Sequence, residues 1–329
     1  MEVFGPVPSR RLGQSLGINN IPPKVCSYSC VYCQLGRTDR MRMERSEFYP
    51  PEDLFEKARV RMDQLKKAGE RVDYITFVAD GEPTLDKNLG REIDLLRSLG
   101  PRVAVISNAS LIWMDDVKED LYKADWVSLK VDAVEQETWR LVDRPHGGLY
   151  IKRILEGIEG FASNYRGTLA TETMLVKGVN DGLECISQIA DFLVGVRPSA
   201  AYILVPSRPP AEEWVKRPDM DNLKEIYAVM SEKLGPVVEM VGGDEEDSFF
   251  FTGDIVKDVL SIASVHPIRE DVIARLLTDR NCDWDIIEGL LKQGVLESYC
   301  YENKRFYVKK VGERGMRHEA SRPESGSSS

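Results

Sequence analysis

The chain has 329 residues, 42% of them hydrophobic and 30% charged, with a formal net charge of -10. That balance excludes a disordered or fibrous chain, and the acidic total excludes a surface built throughout to hold polyanions. With no apolar run of about eighteen residues, and no basic stretch followed by an apolar one at the N-terminus, the expectation is a cytoplasmic protein with no membrane partner.

In chain order, a first strand ends at a Pro22-Pro23 break and leads into Cys26-Ser-Tyr-Ser-Cys30-Val-Tyr-Cys33. Arg10, Arg11, Lys24, Arg37, Arg40, Arg42 and Arg45 form a local basic patch around these cysteines. From Tyr74 onward, short β-branched or apolar runs alternate with amphipathic stretches, the pattern of βα units around a parallel sheet. Strands are predicted at Tyr74–Ala79, Val103–Ser107, Trp126–Val131, Leu169–Val176, Ala201–Val205 and Val237–Val241. Helices are predicted at Pro51–Ala68, Leu89–Leu99, Ile151–Tyr165, Cys185–Val194 and Asn222–Leu234. The fold class is therefore α/β, a partial or full (β/α) barrel over residues 1–243, with a doubly wound open sheet as the alternative. After Gly253 the pattern changes to helices at Ile255–Ser264, Arg269–Thr278 and Asp283–Gln293, then strands Val295–Tyr301 and Lys304–Lys309. This reads as a small winged-helix-like domain over residues 254–311, with residues 312–329 too polar to pack and expected to be disordered.

The six cysteines do not form a secreted disulfide framework, because three are crowded into eight positions and three stand alone. Three thiols on one loop can take three corners of an iron-sulfur cubane and leave one iron open, as a catalytic metal site must. The alternative is a zinc site completed by a distant His or Cys, although His146, His266 and His318 have no second ligand beside them. Cys185, Cys282 and Cys300 are each expected to be buried small hydrophobes.

The Cys-x-x-x-Cys-x-x-Cys array resembles the signature of the radical S-adenosylmethionine (SAM) superfamily. Its flanks, Phe4-Gly-Pro-Val-Pro-Ser-Arg-Arg-Leu-Gly13 and Cys33-Gln-Leu-Gly-Arg-Thr38, are similar to a branch related to wyosine-base tRNA synthetases. No second cysteine array is present. The resemblance implies one 4Fe-4S cluster on Cys26, Cys30 and Cys33, with SAM bound at the open iron. One-electron reduction by a ferredoxin- or flavodoxin-type donor would give a 5'-deoxyadenosyl radical, the cofactors carrying the hard chemistry.

It also implies a SAM site at the strand ends. Asp80-Gly81-Glu82-Pro83 resembles the superfamily's Gly-Gly-Glu-Pro element, which meets the SAM ammonium, with Asp80 where Gly is common. Ser107 and Asn108 are expected at the ribose, Lys130 at the SAM carboxylate, Asp132 at the ribose, and Val179 and Asn180 beside adenine. Tyr32 matches the aromatic position against adenine. Arg144-Pro145-His146 resembles a family phrase, with Asp143 in place of Asn, and makes Arg144 and His146 the substrate-side catalytic candidates. The substrate is an RNA or tRNA base, or alternatively a peptide. A third reading is a redox-sensing iron-sulfur regulator whose winged helix binds DNA.

Overall fold

The structure is a computed structural model describing residues 2–9, 11–78, 80–241, 255–263, 267–280, 282–302 and 304–310. Arg10, Ala79, Gly243, His266, Asn303, His318 and the expected tail at 312–329 lie outside the described residues.

The N-terminal unit begins with an antiparallel pair, β1 (Val3–Ser9) and β2 (Gly13–Ile18), followed by the cysteine loop with its short pairing of β3 (Val25–Cys26) and β4 (Arg40–Met41). Helix α1 (Pro51–Lys67) starts on a proline, with acids in its first turn and lysines in its last, as the helix dipole favours. The repeats then run β5 (Tyr74–Phe77), α2 (Leu89–Arg97), β6 (Arg102–Ser107), α3 (Asp115–Leu121), β7 (Trp126–Lys130), α4 (Gln136–Asp143), α5 (Ile151–Asn164), β8 (Thr168–Met174), α6 (Leu183–Val196), β9 (Ala200–Leu204), α7 (Met220–Leu234) and β10 (Val238–Val241). These strands are rich in Val, Ile, Thr and aromatic residues and are largely buried, as a sheet covered by helices requires.

The sheet order is β1-β2-β5-β6-β7-β8-β9-β10, and every pairing from β2 onward is parallel. A doubly wound sheet reverses direction at a switch point, whereas this order advances one way only, so the open-sheet alternative is excluded. The two edge strands do not pair with each other, yet Phe4 and Val7 of β1 and Val241 of β10 line one cavity. The sheet is thus a partial barrel with a hollow lumen. Pro6 and Pro8 lack ladder donors, and both sit on the edge strand, where that lack is tolerated.

The C-terminal unit comprises α8 (Ile255–Ala263), β11 (Ile268–Arg269), α9 (Glu270–Asp279), α10 (Asp285–Lys292), β12 (Leu296–Tyr301) and β13 (Lys304–Lys309), with antiparallel order β11-β13-β12. Its apolar core includes Val259, Ile273, Ile287 and Tyr307, and Val7 of β1 packs against it. Cys185 and Cys282 are half-buried rather than buried, and Cys300 is exposed, because strand alternation on β12 turns it to the open face. Among the described residues no helix is long and apolar enough to cross a membrane.

Glu92 of α2 is buried at 1% exposure, and neither carboxylate oxygen finds a donor among the described residues. Burial first, and Asp86 second, push its carboxyl up to about 9. The neighbouring Asn20 side chain partly offsets this rise, and its own Oδ1 lacks a donor that a protonated Glu92 can supply. Because the folded value lies above the ordinary 4.5, this stability is complete below that pH and is lost as the pH rises toward 9. Glu92→Gln donates at every pH and is expected to stabilise the fold by roughly 1–2 kcal/mol at pH 8. Thermal unfolding at pH 5 and pH 8 tests this, and an equal effect at both values would contradict it.

Candidate active site

A cavity of about 720 Å³ occupies the lumen and reaches the C-terminal ends of the strands, a size suited to a small-molecule site. Cys26, Cys30 and Cys33 all line it, and all three are free thiols. Tyr32, Gly81, Glu82, Ser107, Asn108 and Lys130 line the same cavity, so nine of the residues singled out from the sequence come together there. Pro83, Asp132, Val179, Asn180, Arg144 and His146 do not line it.

The first cysteine is fixed by a close backbone approach. Lys24 N donates to Asp80 O at 2.6 Å, and Glu82 N donates to Val25 O at 3.2 Å. A Cβ on Gly81 would stand 1.9 Å from Val25 O, so only glycine fits between the Asp80–Pro83 turn and the cysteine loop. Asn108 Nδ2 reaches Ser27 Oγ at 2.9 Å and Cys26 Sγ at 3.6 Å. Glu82 is buried, accepting from Thr84 N (3.0 Å), Thr84 Oγ1 (2.6 Å), Ser107 Oγ (2.8 Å) and Asn108 N (2.7 Å). One carboxylate therefore ties the end of β5 to the end of β6. Its Oε2 accepts from Asn108 N and keeps further acceptor capacity.

Burial, followed by the charge of Glu82, pushes the Cys26 thiol up to about 12. Burial likewise raises Cys33, and burial with Asp143 raises Cys30 well above the ordinary range. A bound cation's charge acts against this rise and converts such groups to thiolates.

Behind the thiols runs a buried polar chain. Cys30 Sγ approaches Asp143 Oδ1 at 3.3 Å, and the Tyr32 hydroxyl donates its one proton to Asp132 while lying 3.2 Å from Asp143. The Lys130 ammonium lies 4.9 Å from the centre of the Tyr32 ring, 3.9 Å from Asp132 and 4.0 Å from Glu172. Burial works against the Lys130 charge, but Asp132 and Glu172 outweigh it and raise its pKa. Burial, then Asp132, raises Asp143 well above the carboxylate range. Burial opposes the Glu172 charge, yet Arg11 and Lys130 hold that carboxyl below its usual value.

Asp132 thus acts through Tyr32 and through Met174 N, which donates to its Oδ1 at 2.7 Å. Asn180 spends its amide on the carbonyls of Asp132 (2.9 Å) and Met174 (2.8 Å), while its Oδ1 takes Val176 N (2.7 Å). Val179 packs with Val31, Val142, Val176 and Val215 beneath the cysteine loop.

The Arg144–His146 segment also faces the loop rather than the cavity. Ser29 N donates to Asp143 O, Val31 N to Val142 O, and His146 N to Ser27 O at 2.8 Å, while His146 Nδ1 accepts Gly148 N at 3.1 Å. Arg144 has φ 44°, a left-handed conformation that ends α4, and its guanidinium binds Glu212. Arg37, four residues past Cys33, grips the same carboxylate with two bonds of 2.9 and 3.1 Å. The hydrogen bond to Arg37 comes first, and with Arg144 it holds the Glu212 carboxyl low. Removing this clamp with Glu212→Gln is expected to change stability by less than about 1 kcal/mol, since Arg37 is solvent-exposed. The rate of iron loss to a chelator from the reconstituted protein should nevertheless rise several-fold, and an unchanged rate would show the clamp to be idle.

The basic patch expected around the cysteines is absorbed in part by internal pairing, at Arg11 and Arg45, while Arg37 and Arg40 remain exposed. Arg45 is buried against Thr84 O, Asp86 O, Asp116 and Asp120, Arg11 pairs with Glu172, and Arg37 pairs with Glu212. Sequence reasoning gave no role to Glu172 or Asp143, and placed Glu212 only in a polar loop at the substrate end of the barrel. A signal existed for Glu172, a charged residue in the middle of the strand Thr-Leu-Ala-Thr-Glu-Thr-Met.

Comparison with known proteins agrees with this geometry. Residues 20–193 match the family described as the radical SAM superfamily. The chain belongs to the radical SAM superfamily. The UPF0026 protein MJ1312 of Methanocaldococcus jannaschii is 46% identical over 94% of this chain and 97% of its own length. Among solved structures, TYW1 with a bound lysine-pyruvate adduct is similar at TM-score 0.52 and 16% identity, covering 66% of this chain and 73% of that one. SuiB of Streptococcus suis, bound to its precursor peptide SuiA, is similar at TM-score 0.53 and 15% identity, covering 71% and 53%. At such identities the two structures establish the shared fold.

A 4Fe-4S cluster and SAM are the cofactors of this superfamily. The residues present fit both. Three free thiols share one cavity, a glycine-only contact seats their loop, and a carboxylate and a lysine stand at the strand ends beside them.

Proposed function

We propose that this chain cleaves SAM reductively and abstracts a hydrogen atom from an organic substrate, with Cys26, Cys30 and Cys33 as the cluster ligands. The observation that carries this reading is the contact of the Asp80–Glu82 turn with the cysteine loop across Gly81, on the same cavity as all three thiols. When bound, the cluster and SAM supply a 5'-deoxyadenosyl radical. The chain's own part is to hold the cofactors and shape the cavity around them. Backbone carbonyls and the remaining acceptor capacity of Glu82 receive the SAM ammonium, Lys130 receives its carboxylate, and Asn108 meets its ribose. Tyr32 presents its ring toward adenine, while Asp132, Asn180 and Val179 hold Tyr32 and the cysteine loop in place. Arg144 and His146 position the loop rather than touch substrate, a role supported by their bonds to Glu212 and Ser27.

An external ferredoxin- or flavodoxin-type donor supplies the electron, in the reducing cytoplasm that free clustered thiols suit. Of the two substrate classes the sequence admits, a long RNA draws less support from the patch around the cysteines, since Arg11 and Arg45 are spent on internal carboxylates and Arg37 and Arg40 are left at the surface. The C-terminal order of three helices and a hairpin supports a winged-helix unit over residues 254–311 beside a barrel domain over 1–243. The test is anaerobic reconstitution followed by electron paramagnetic resonance of the reduced protein. About four irons per chain and a spectrum altered by SAM are expected, and a full cluster indifferent to SAM would favour the redox-sensor reading.

A further inference from the structure

The cofactor reading uses the end of the cavity near the thiols and leaves the opposite end without a role. There the turn between β1 and β2 carries Arg11 into the lumen, where it meets Glu172 of β8 although 161 residues separate them. Only Nη1 of Arg11 takes part in that bond. The guanidinium carbon lies 5.6 Å from the centre of the Tyr202 ring, and the side chain is 21% exposed. Among the described residues Nε and Nη2 have no hydrogen-bond partner. The cavity walls include the apolar Phe4, Leu12, Leu204 and Val241 and, three residues along the chain, Gln14, whose Oε1 also lacks a partner among the described residues.

A guanidinium held in this way is a half-used fork. Its charge is offset by Glu172, which in turn takes Ser128 Oγ at 2.9 Å and faces Lys130, so the local charge is balanced without the outer edge of Arg11. The Nε–Nη2 edge presents two parallel N–H donors, the arrangement that matches the two oxygens of a carboxylate or phosphate. Apolar walls around such a fork exclude water and strengthen the bond it makes.

We propose that the Nε–Nη2 edge of Arg11 binds a carboxylate or phosphate group of the substrate and anchors it in the lumen across from SAM. The anchored group belongs to a small molecule or to a chain end, since it must enter the barrel. Its assignment to the substrate rests on the radical SAM reading, whereas the anion site itself does not.

The probes are acetate and inorganic phosphate, titrated into the anaerobically reconstituted, SAM-loaded protein while thermal unfolding is followed. A saturable rise in Tm is expected with at least one of them. A response to acetate alone assigns a carboxylate, and a response to phosphate alone assigns a phosphate ester. Arg11→Lys keeps the charge and the bond to Glu172 but loses the fork, and should weaken the apparent affinity by about tenfold, the equivalent of one charge-assisted hydrogen bond. Arg11→Met should abolish the response. If Arg11→Met does not fold, because Glu172 loses its main partner, Arg11→Lys still decides the matter. Iron content should stay at about four per chain in Arg11→Lys, which shows that a lost anion response does not come from a lost cluster. Absence of any anion response in the parent, or equal responses in parent and Arg11→Lys, would overturn the proposal. An anion response lost in the variants of a protein that does not cleave SAM would keep the site and remove the radical chemistry.

Discussion

Cys30→Ala is expected to abolish the visible absorbance of the reconstituted cluster and to reduce SAM cleavage to background, with Cys26→Ala and Cys33→Ala doing the same. The fold should survive, because the substitution removes only one polar interaction, the 3.3 Å approach of Cys30 Sγ to Asp143, worth roughly 1 kcal/mol at most. Circular dichroism would therefore be unchanged while iron and absorbance fall. The half-buried Cys185 and Cys282 and the exposed Cys300 lie outside the cavity, and their alanine variants should retain about four irons. A full cluster in Cys30→Ala would break the ligand assignment.

Gly81→Ala is expected to have the second-largest effect, for a different reason. The added methyl would stand 1.9 Å from the Val25 carbonyl oxygen and 2.8 Å from Ile21 Cδ1, so backbone must move to admit it. Overpacking of this kind costs about 1–3 kcal/mol. The displaced segment carries Cys26 on one side and Glu82 on the other, and a shift near 1 Å in a positioned site lowers turnover by roughly 100-fold. Partial iron content with a much larger loss of SAM cleavage is the expected pattern. Gly160→Ala, a helical site with nothing within 4 Å of the added carbon, is the control and should stabilise the fold slightly. If Gly81→Ala cleaved SAM at the parent rate, the close approach at Gly81 would not be what seats the loop.

Much of this architecture was legible in the residues. The six strands expected from Tyr74 onward all form, with ends moved by one or two residues, because each is a short β-branched run bounded by polar turns. The antiparallel β1 was not legible, since Pro6 and Pro8 read as loop and become strand only at a sheet edge. The short helices α3 and α4 carry too few turns for their periodicity to stand out. The choice between barrel and open sheet rested on strand order, which no local pattern contains.

At the site, the gathering of the cysteines with Gly81, Glu82, Ser107, Asn108 and Lys130 on one cavity was legible because their motifs are local in sequence. Less legible were the contacts between residues remote in sequence. Arg144 and His146 have the composition of a substrate loop, but their bonds run to Glu212 and Ser27. Arg45 looked like part of a basic surface and is instead buried between Asp116 and Asp120, more than seventy residues away. The pairing of Arg11 with Glu172 across the lumen likewise follows from the curl of the sheet.

The most direct test of the central claim is anaerobic reduction of the reconstituted protein in the presence of SAM, with quantification of 5'-deoxyadenosine. The account predicts its formation, dependent on reductant and absent in Cys30→Ala. A protein carrying its full cluster and a bound SAM that yields no 5'-deoxyadenosine with any low-potential reductant would contradict it.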